Sequence, residues 1–255
     1  MGGDFFVDYE LNLKAFKNYL KQFDLTSEEI SLKVSHSYHV AHLASILAKR
    51  LELNEEEIQF AKTLGLLHDV GRFIQFTKAK EYNDYKTHLD HGALGVDYLF
   101  KEGHIKDFSI NEDYYSILEF AIRNHNQLNI EKGLQKQALF WAQFIRDVDK
   151  IDIYRVIASH FESQFSEEAS LTVQDSFFKH TLIKLEAIQN ESDTILQKLA
   201  FVYDLNFKES FLLLEETDNL ELYISHLQVD KNLEDVFKSY IKEVRTFLES
   251  KINEN

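Results

Sequence analysis

The chain has 255 residues, enough for one sizeable core or two small ones, and its 28 basic against 43 acidic residues leave a net charge of -15 at neutral pH. An acidic surface of that size repels a phosphate backbone, so no nucleic-acid polymer is expected as a partner. Cysteine is absent, which removes disulfides, thiolate zinc sites, iron-sulfur clusters and thiol nucleophiles and leaves His and carboxylate as the metal donors.

Proline is also absent, and the 8 glycines all lie between Gly2 and Gly133. The chain beyond Gly133 therefore lacks both strong helix breakers, and an all-α protein is predicted. Apolar stripes at helical spacing place helices near residues 9–24, 27–51, 54–70, 87–102, 112–127, 134–163, 173–199, 206–226 and 231–251. Three starts carry capping-box patterns: Thr26 with Glu29, Asn54 with Glu57, and Thr172 with Asp175. The stretch 71–86 mixes aromatics, basic residues and turn formers without a clean period and is predicted to be a long loop. No apolar run approaches the ~18 residues of a spanning helix, and the opening MGGDFFVDYE lacks the basic and apolar parts of a signal peptide. A cytoplasmic location with no membrane partner is expected. No repeat or linker is visible, so residues 1–255 are expected to form a single helical domain.

The informative residues are polar ones on apolar stripes. His36 shares a face with Leu32, Val40, Leu43 and Leu47; His68 with Ala61 and Leu64; His91 with Leu94, Gly95 and Tyr98; His125 with Leu118, Ala121 and Ile122. Asp149 lies with Ala138, Ala142, Ile145 and Val156, and Asp69 directly follows His68. A single inward histidine is commonly a satisfied core residue. Four of them on separate helices, with two inward carboxylates that would cost several kcal/mol if left charged and unpaired, point to a shared divalent cation. The remaining histidines are weaker candidates. His39 can line the site and His88 can substitute for His91, whereas His42, His104, His160, His180 and His226 read as surface or packing residues.

In order and rough spacing, His36, the pair His68-Asp69 and Asp149 resemble the HD domain superfamily of all-α metal-dependent phosphohydrolases. The stretches HDVGRFIQF, LDHGALGVDYLF, RNHNQ, FIRDVDKIDIYRV and FVYDLNFKESF are similar to a bacterial branch of it. The resemblance implies an HD helical bundle with a metal-binding core at about 27–163 and additional C-terminal helices at about 164–255. It also implies one or two divalent ions (Mn, Fe, Ni, Co, Zn or Mg). By this resemblance His36, His68, Asp69 and Asp149 would hold the first ion, Asp69 would bridge to the second, and His91 and His125 would complete it. In the run RDVDK, periodicity leaves two aspartates open, since Asp147 shares a stripe with Phe140, Phe144, Ile151 and Tyr154. The family pattern selects Asp149 and leaves Asp147 as a supporting residue.

The implied activity is hydrolysis of a phosphate ester or anhydride of a small molecule, a nucleotide first among the candidates, by metal-activated water. An anionic substrate needs local positive charge. Arg72, three residues after Asp69, is the first candidate for a phosphate contact, with Lys150, Arg123 and Lys86 behind it. Asp152 is a candidate for orienting a ligand ring, and Phe73, Gln75 and Tyr82 are candidates for shaping a pocket. Two rivals stand beside hydrolysis: a di-iron oxygenase of the same superfamily, and a regulatory module that binds metal without catalysis.

Overall fold

The computed structural model describes residues 7–132, 136–160 and 163–254. Among the described residues the protein is all-α apart from two three-residue strands, and it divides into two compact units, Met1–Asp149 and Lys150–Asn255, the division falling within one helix.

The first unit runs through α1 (Tyr9–Leu20), α2 (Glu28–Arg50), α3 (Glu55–Leu67), α4 (Val70–Ala79), the short α5 (Asp84–Thr87), α6 (His91–Val96), α7 (Tyr115–Asn124) and the first part of α8 (Lys136–His160). The ends of the helix predicted over 134–163 at residues 134–135 and 161–162 lie outside the described residues, as do Gly2, Gly3 and Gly133. Asn54 and Glu57 form the predicted capping box of α3. At α2 the cap is Ser27 and not Thr26, because the Ser27 hydroxyl accepts from the Ile30 N-H while Thr26 binds Asp24.

The largest correction is at 71–86. This stretch is mostly helical: α4 continues through Ala79, and Lys80 ends it in the left-handed region at φ 57°. Its Phe73 is fully buried among Phe16, Tyr19 and Phe23 and shapes the core instead of a pocket. Periodicity failed here because the apolar side of α4 is interrupted by buried Gln75 and by Gly71. Gly71 is required by close approach, since a Cβ there would sit 1.9 Å from the His91 carbonyl oxygen. That contact seats α4 directly on α6. Gly65 does the same for α2 and α3, where a Cβ would meet the Ala41 Cα at 2.9 Å. The predicted helix 87–102 starts instead at His91, capped by Asp90, and loosens into a π-type turn over Asp97–Lys101.

The second unit holds the rest of α8, β1 (Ser163–Phe165), α9 (Leu171–Phe178), α10 (Glu191–Leu199), α11 (Lys208–Thr217), α12 (Asn219–His226), β2 (Leu227–Val229) and α13 (Glu234–Asn253). The strands pair in parallel, Gln164 opposite Gln228. The single helix predicted over 173–199 is two helices. The first begins after Ser170, so Thr172 lies inside it and does not cap it. It stops as His180 turns to φ 54°, and α10 restarts where the Asn190 side chain accepts from the Asp193 N-H. The predicted helix 206–226 likewise breaks at Asp218, φ 54°. Buried Asp193 braces the intervening turn, accepting from the Ser170 and Gln189 N-H groups and the Ser170 hydroxyl. Among the described residues no helix is long and apolar enough to cross a membrane.

Candidate metal centre

Four histidines and two aspartates from six helices or their ends meet inside the first unit. His36 projects from α2. His68 ends α3 and Asp69 opens α4, and the break between those helices, with Asp69 at φ -105° and ψ 16°, turns the carboxylate inward. The Tyr19 hydroxyl donates to the Val70 carbonyl at 2.6 Å and steadies this break. His91 opens α6, His125 follows α7 and Asp149 projects from α8. All four rings are buried to 2% exposure or less.

Asp69 stands between two histidine pairs. Its Oδ2 lies 3.6 Å from His36 Nε2 and 3.7 Å from His68 Nε2, and its Oδ1 lies 3.3 Å from His91 Nε2 and 3.5 Å from His125 Nε2. Two donor groups result, His36-His68-Asp69 and Asp69-His91-His125. Asp149 joins the first, its Oδ1 3.0 Å from His36 Nε2 and 3.6 Å from His68 Nε2. Asp147, which is fully buried, stands outside both.

The ring orientations test whether this set suits a cation. His68 Nδ1 donates to the Gly65 carbonyl at 2.7 Å and His125 Nδ1 to the Ile122 carbonyl at 2.6 Å, each using a carbonyl three residues back that the helix end leaves without an intrahelical partner. His91 Nδ1 donates to Asp84 Oδ2 at 2.6 Å. In neutral rings the remaining Nε2 atoms therefore carry lone pairs. Yet His91 Nε2 and His125 Nε2 face each other at 2.9 Å, and His68 Nε2 faces His36 Nε2 at 3.3 Å. Lone pairs directed at one another and at a carboxylate fit a divalent cation.

Protonation agrees. Burial lowers the His68 pKa, and burial followed by the Arg72 charge brings His91 down to about 4, so both rings are neutral at pH 7. Burial works to raise the Asp69 carboxyl, but the Lys33 ammonium and the adjacent imidazoles hold it well below the usual carboxylate range. Burial likewise opposes ionisation of Asp149, but its contacts with the His36 and His68 rings hold its carboxyl well below the usual carboxylate range.

The cations nominated from sequence are dispersed. Arg72 Nη1 donates to Asp84 Oδ1 and Gln75 Oε1 at 2.7 Å each and to the Tyr82 carbonyl, while its buried Nε, 3.7 Å from Asp69 Oδ1, has no hydrogen-bond partner among the described residues. Arg123 pairs with Glu119 at 2.9 Å on its own helix. Lys150 pairs with Asp204 at 2.7 Å in the second unit, and Lys86 is exposed. Asp152 receives the Arg155 fork at 2.7 and 2.8 Å, and the groups orienting His68, His91 and His125 are the Gly65 carbonyl, Asp84 and the Ile122 carbonyl. His39 is exposed with its Nδ1 on the Ser35 carbonyl, and His88 is exposed at φ 54°.

Three supporting residues escaped the sequence reading. Lys33, buried on α2 one turn before His36, places its Nζ 2.8 Å from Asp69 Oδ2; its i-3 spacing from His36 was the available signal. Arg146, 1% exposed, donates to the carbonyls of Asn124 at 2.8 Å and Gln127 at 2.5 Å and so holds the chain on both sides of His125. Asp84 lay in the supposed loop, where no periodicity marked it.

The HD domain family matches residues 34–204, and the chain belongs to that family. Shorter stretches are similar to Ribonuclease Y of Syntrophomonas wolfei, 39% identical over 72 residues, 28% of this chain and 12% of that protein. Ribonuclease Y of Symbiobacterium thermophilum is 38% identical over 66 residues, 26% of this chain and 10% of that protein. The tRNA uridine(34) hydroxylase of Buchnera aphidicola is 31% identical over 96 residues, 35% of this chain and 29% of that protein. The matches thus span less than a third of each of these relatives. No solved structure matches the chain.

Proposed function

We propose that this protein is a metal-dependent phosphohydrolase acting on a small phosphorylated molecule, a nucleotide first among the candidates. The observation that carries the reading is the position of Asp69, whose two oxygens each face one pair of histidine Nε2 atoms. His36, His68, Asp69 and Asp149 would hold one ion and Asp69, His91 and His125 a second. When bound, such ions lower the pKa of water toward ~7 and polarise phosphoryl oxygens.

The chain's own residues supply the rest. Buried rings with fixed tautomers keep their lone pairs directed inward. Lys33 offsets the Asp69 charge. Arg72 uses one nitrogen on Asp84 and retains an unbonded Nε for a phosphoryl oxygen. A net charge of -15 favours a small substrate over a polymer, although the ribonuclease relatives are consistent with phosphoester chemistry.

The test is phosphate release from a panel of nucleotides, dinucleotides and sugar phosphates with Mn, Fe, Co, Ni, Zn or Mg under anaerobic conditions. Turnover without oxygen and with a redox-inert metal supports the reading. Activity that needs ferrous iron and consumes oxygen would place the protein with the oxygenases, and metal binding without turnover would make it a regulatory module.

A further inference from the structure

We propose that Asp84 is a positioning residue which fixes the His91 ring and so controls the affinity of one half of the metal centre, the Asp69-His91-His125 half, independently of the other. The inference rests on the two-ion reading above.

The two oxygens of Asp84 serve different partners. Oδ2 accepts the His91 Nδ1-H at 2.6 Å and the Asn126 amide at 3.1 Å. Oδ1 accepts Arg72 Nη1 and Gln75 Nε2 at 2.7 Å each. Gln75 is fully buried and also donates to Thr87 Oγ1 at 3.2 Å and to the Leu89 carbonyl at 3.0 Å. A carboxylate held by four donors cannot swing, so the ring that donates to it cannot rotate either. His91 differs in this from His68 and His125, which lean on main-chain carbonyls of their own helices. A carboxylate partner also carries charge, which strengthens the imidazole opposite as a donor to a cation.

The backbone explains how Asp84 arrives there. Left-handed residues, Lys80 at φ 57° and His88 at φ 54°, flank a single helical turn, α5, capped by Asn83 accepting from the Lys86 N-H. Asp84, the first residue of that turn, presents its carboxylate to His91. Among the described residues the Asp84 carboxylate bonds to His91, Asn126, Arg72 and Gln75 and not to His36, His68 or Asp149, so its influence should fall on one ion.

The test is calorimetric titration of the metal-stripped protein with Mn(II) alone, a readout that does not involve turnover. The native chain should take up two ions. Asp84→Asn, which presents an amide that cannot accept from all four donors, should leave one ion unchanged and weaken the other by about 10- to 100-fold. Asp84→Glu should recover part of the loss, and Asn126→Ala, removing one donor from Oδ2, should weaken the same ion by less. The milder variant keeps the question answerable if Asp84→Asn does not fold. Two ions bound by Asp84→Asn with native affinity, or equal weakening of both, would overturn the role of Asp84 and leave the metal centre standing. A single ion in the native chain would overturn the two-ion reading and this inference with it.

Discussion

Lys33 Nζ lies 2.8 Å from Asp69 Oδ2, with the two side chains 9% and 3% exposed. A buried ammonium thus sits on the carboxylate that bridges the two histidine pairs, and each charge depends on the other. Breaking such a pair from one side leaves an uncompensated buried charge and costs about 3 to 5 kcal/mol. Lys33→Met should therefore destabilise the metal-stripped protein by that order in urea, and Mn(II) should restore much of the loss by supplying positive charge at Asp69. Asp69→Asn should also destabilise, as well as abolishing metal binding. The double variant should lose less than the sum, with a coupling of about 0.5 to 3 kcal/mol. Strict additivity would remove Lys33 as the counter-ion.

Arg72 touches both the Asp84 clamp and the space beside Asp69. Its removal should act twice. Arg72→Ala should lower phosphate release by about 10²-fold or more, in the range for losing one preorganised donor to developing charge, and should also loosen one of two Mn(II) ions by freeing Asp84. Arg72→Lys should recover little, because a single ammonium cannot reach two acceptors from a planar fork. Parallel assays of metal stoichiometry and phosphate release separate the two effects; unchanged values in both would leave Arg72 without a role in the centre.

The metal-stripped protein should lose stability on mild acidification. His91 titrates at about 4 when folded against an ordinary 6.5, and His68 is lowered in the same sense. Between those values the unfolded chain takes up protons that the folded chain refuses, so stability falls as pH drops from about 6.5 toward 4. Asp69 and Asp149, whose folded values lie below 3.8, then withdraw their contribution as the pH falls further. Denaturant midpoints across pH 3 to 8 should decline in that order, and a flat profile above pH 5 would contradict neutral burial of the histidines.

Gly71→Ala should be severe for its size. The added methyl would sit 1.9 Å from the His91 carbonyl oxygen and 2.6 Å from the Gly95 nitrogen, both main-chain atoms that cannot turn aside. Forcing α4 from α6 should cost about 3 kcal/mol or more and separate His91 from Asp69. Thermal unfolding and Mn(II) uptake should both register it, whereas a variant with native melting and two ions would show that the helices can part without harm.

The sequence determined the helical class and the inward cluster of candidate ligands, and the reason is the same for both. Side chains on an α-helix repeat their direction every 3.6 residues, so His36, His68, His91, His125 and Asp149 announced their inward placement through the apolar residues one and two turns away. The capping box Asn54-Glu57 was equally local. Tertiary structure alone decided the helix breaks in the second unit, because His180 and Asp218 stop their helices at positive φ without glycine. That conformation costs on the order of 1 kcal/mol and persists only where surrounding contacts hold it. It also decided what supports the candidate ligands. Asp84, Gln75 and Arg72 reach one another through a fold of the chain between α4 and α6, and Gly71 matters because of an oxygen twenty residues away. Such partners are set by where helices cross, and a crossing leaves no period along the chain.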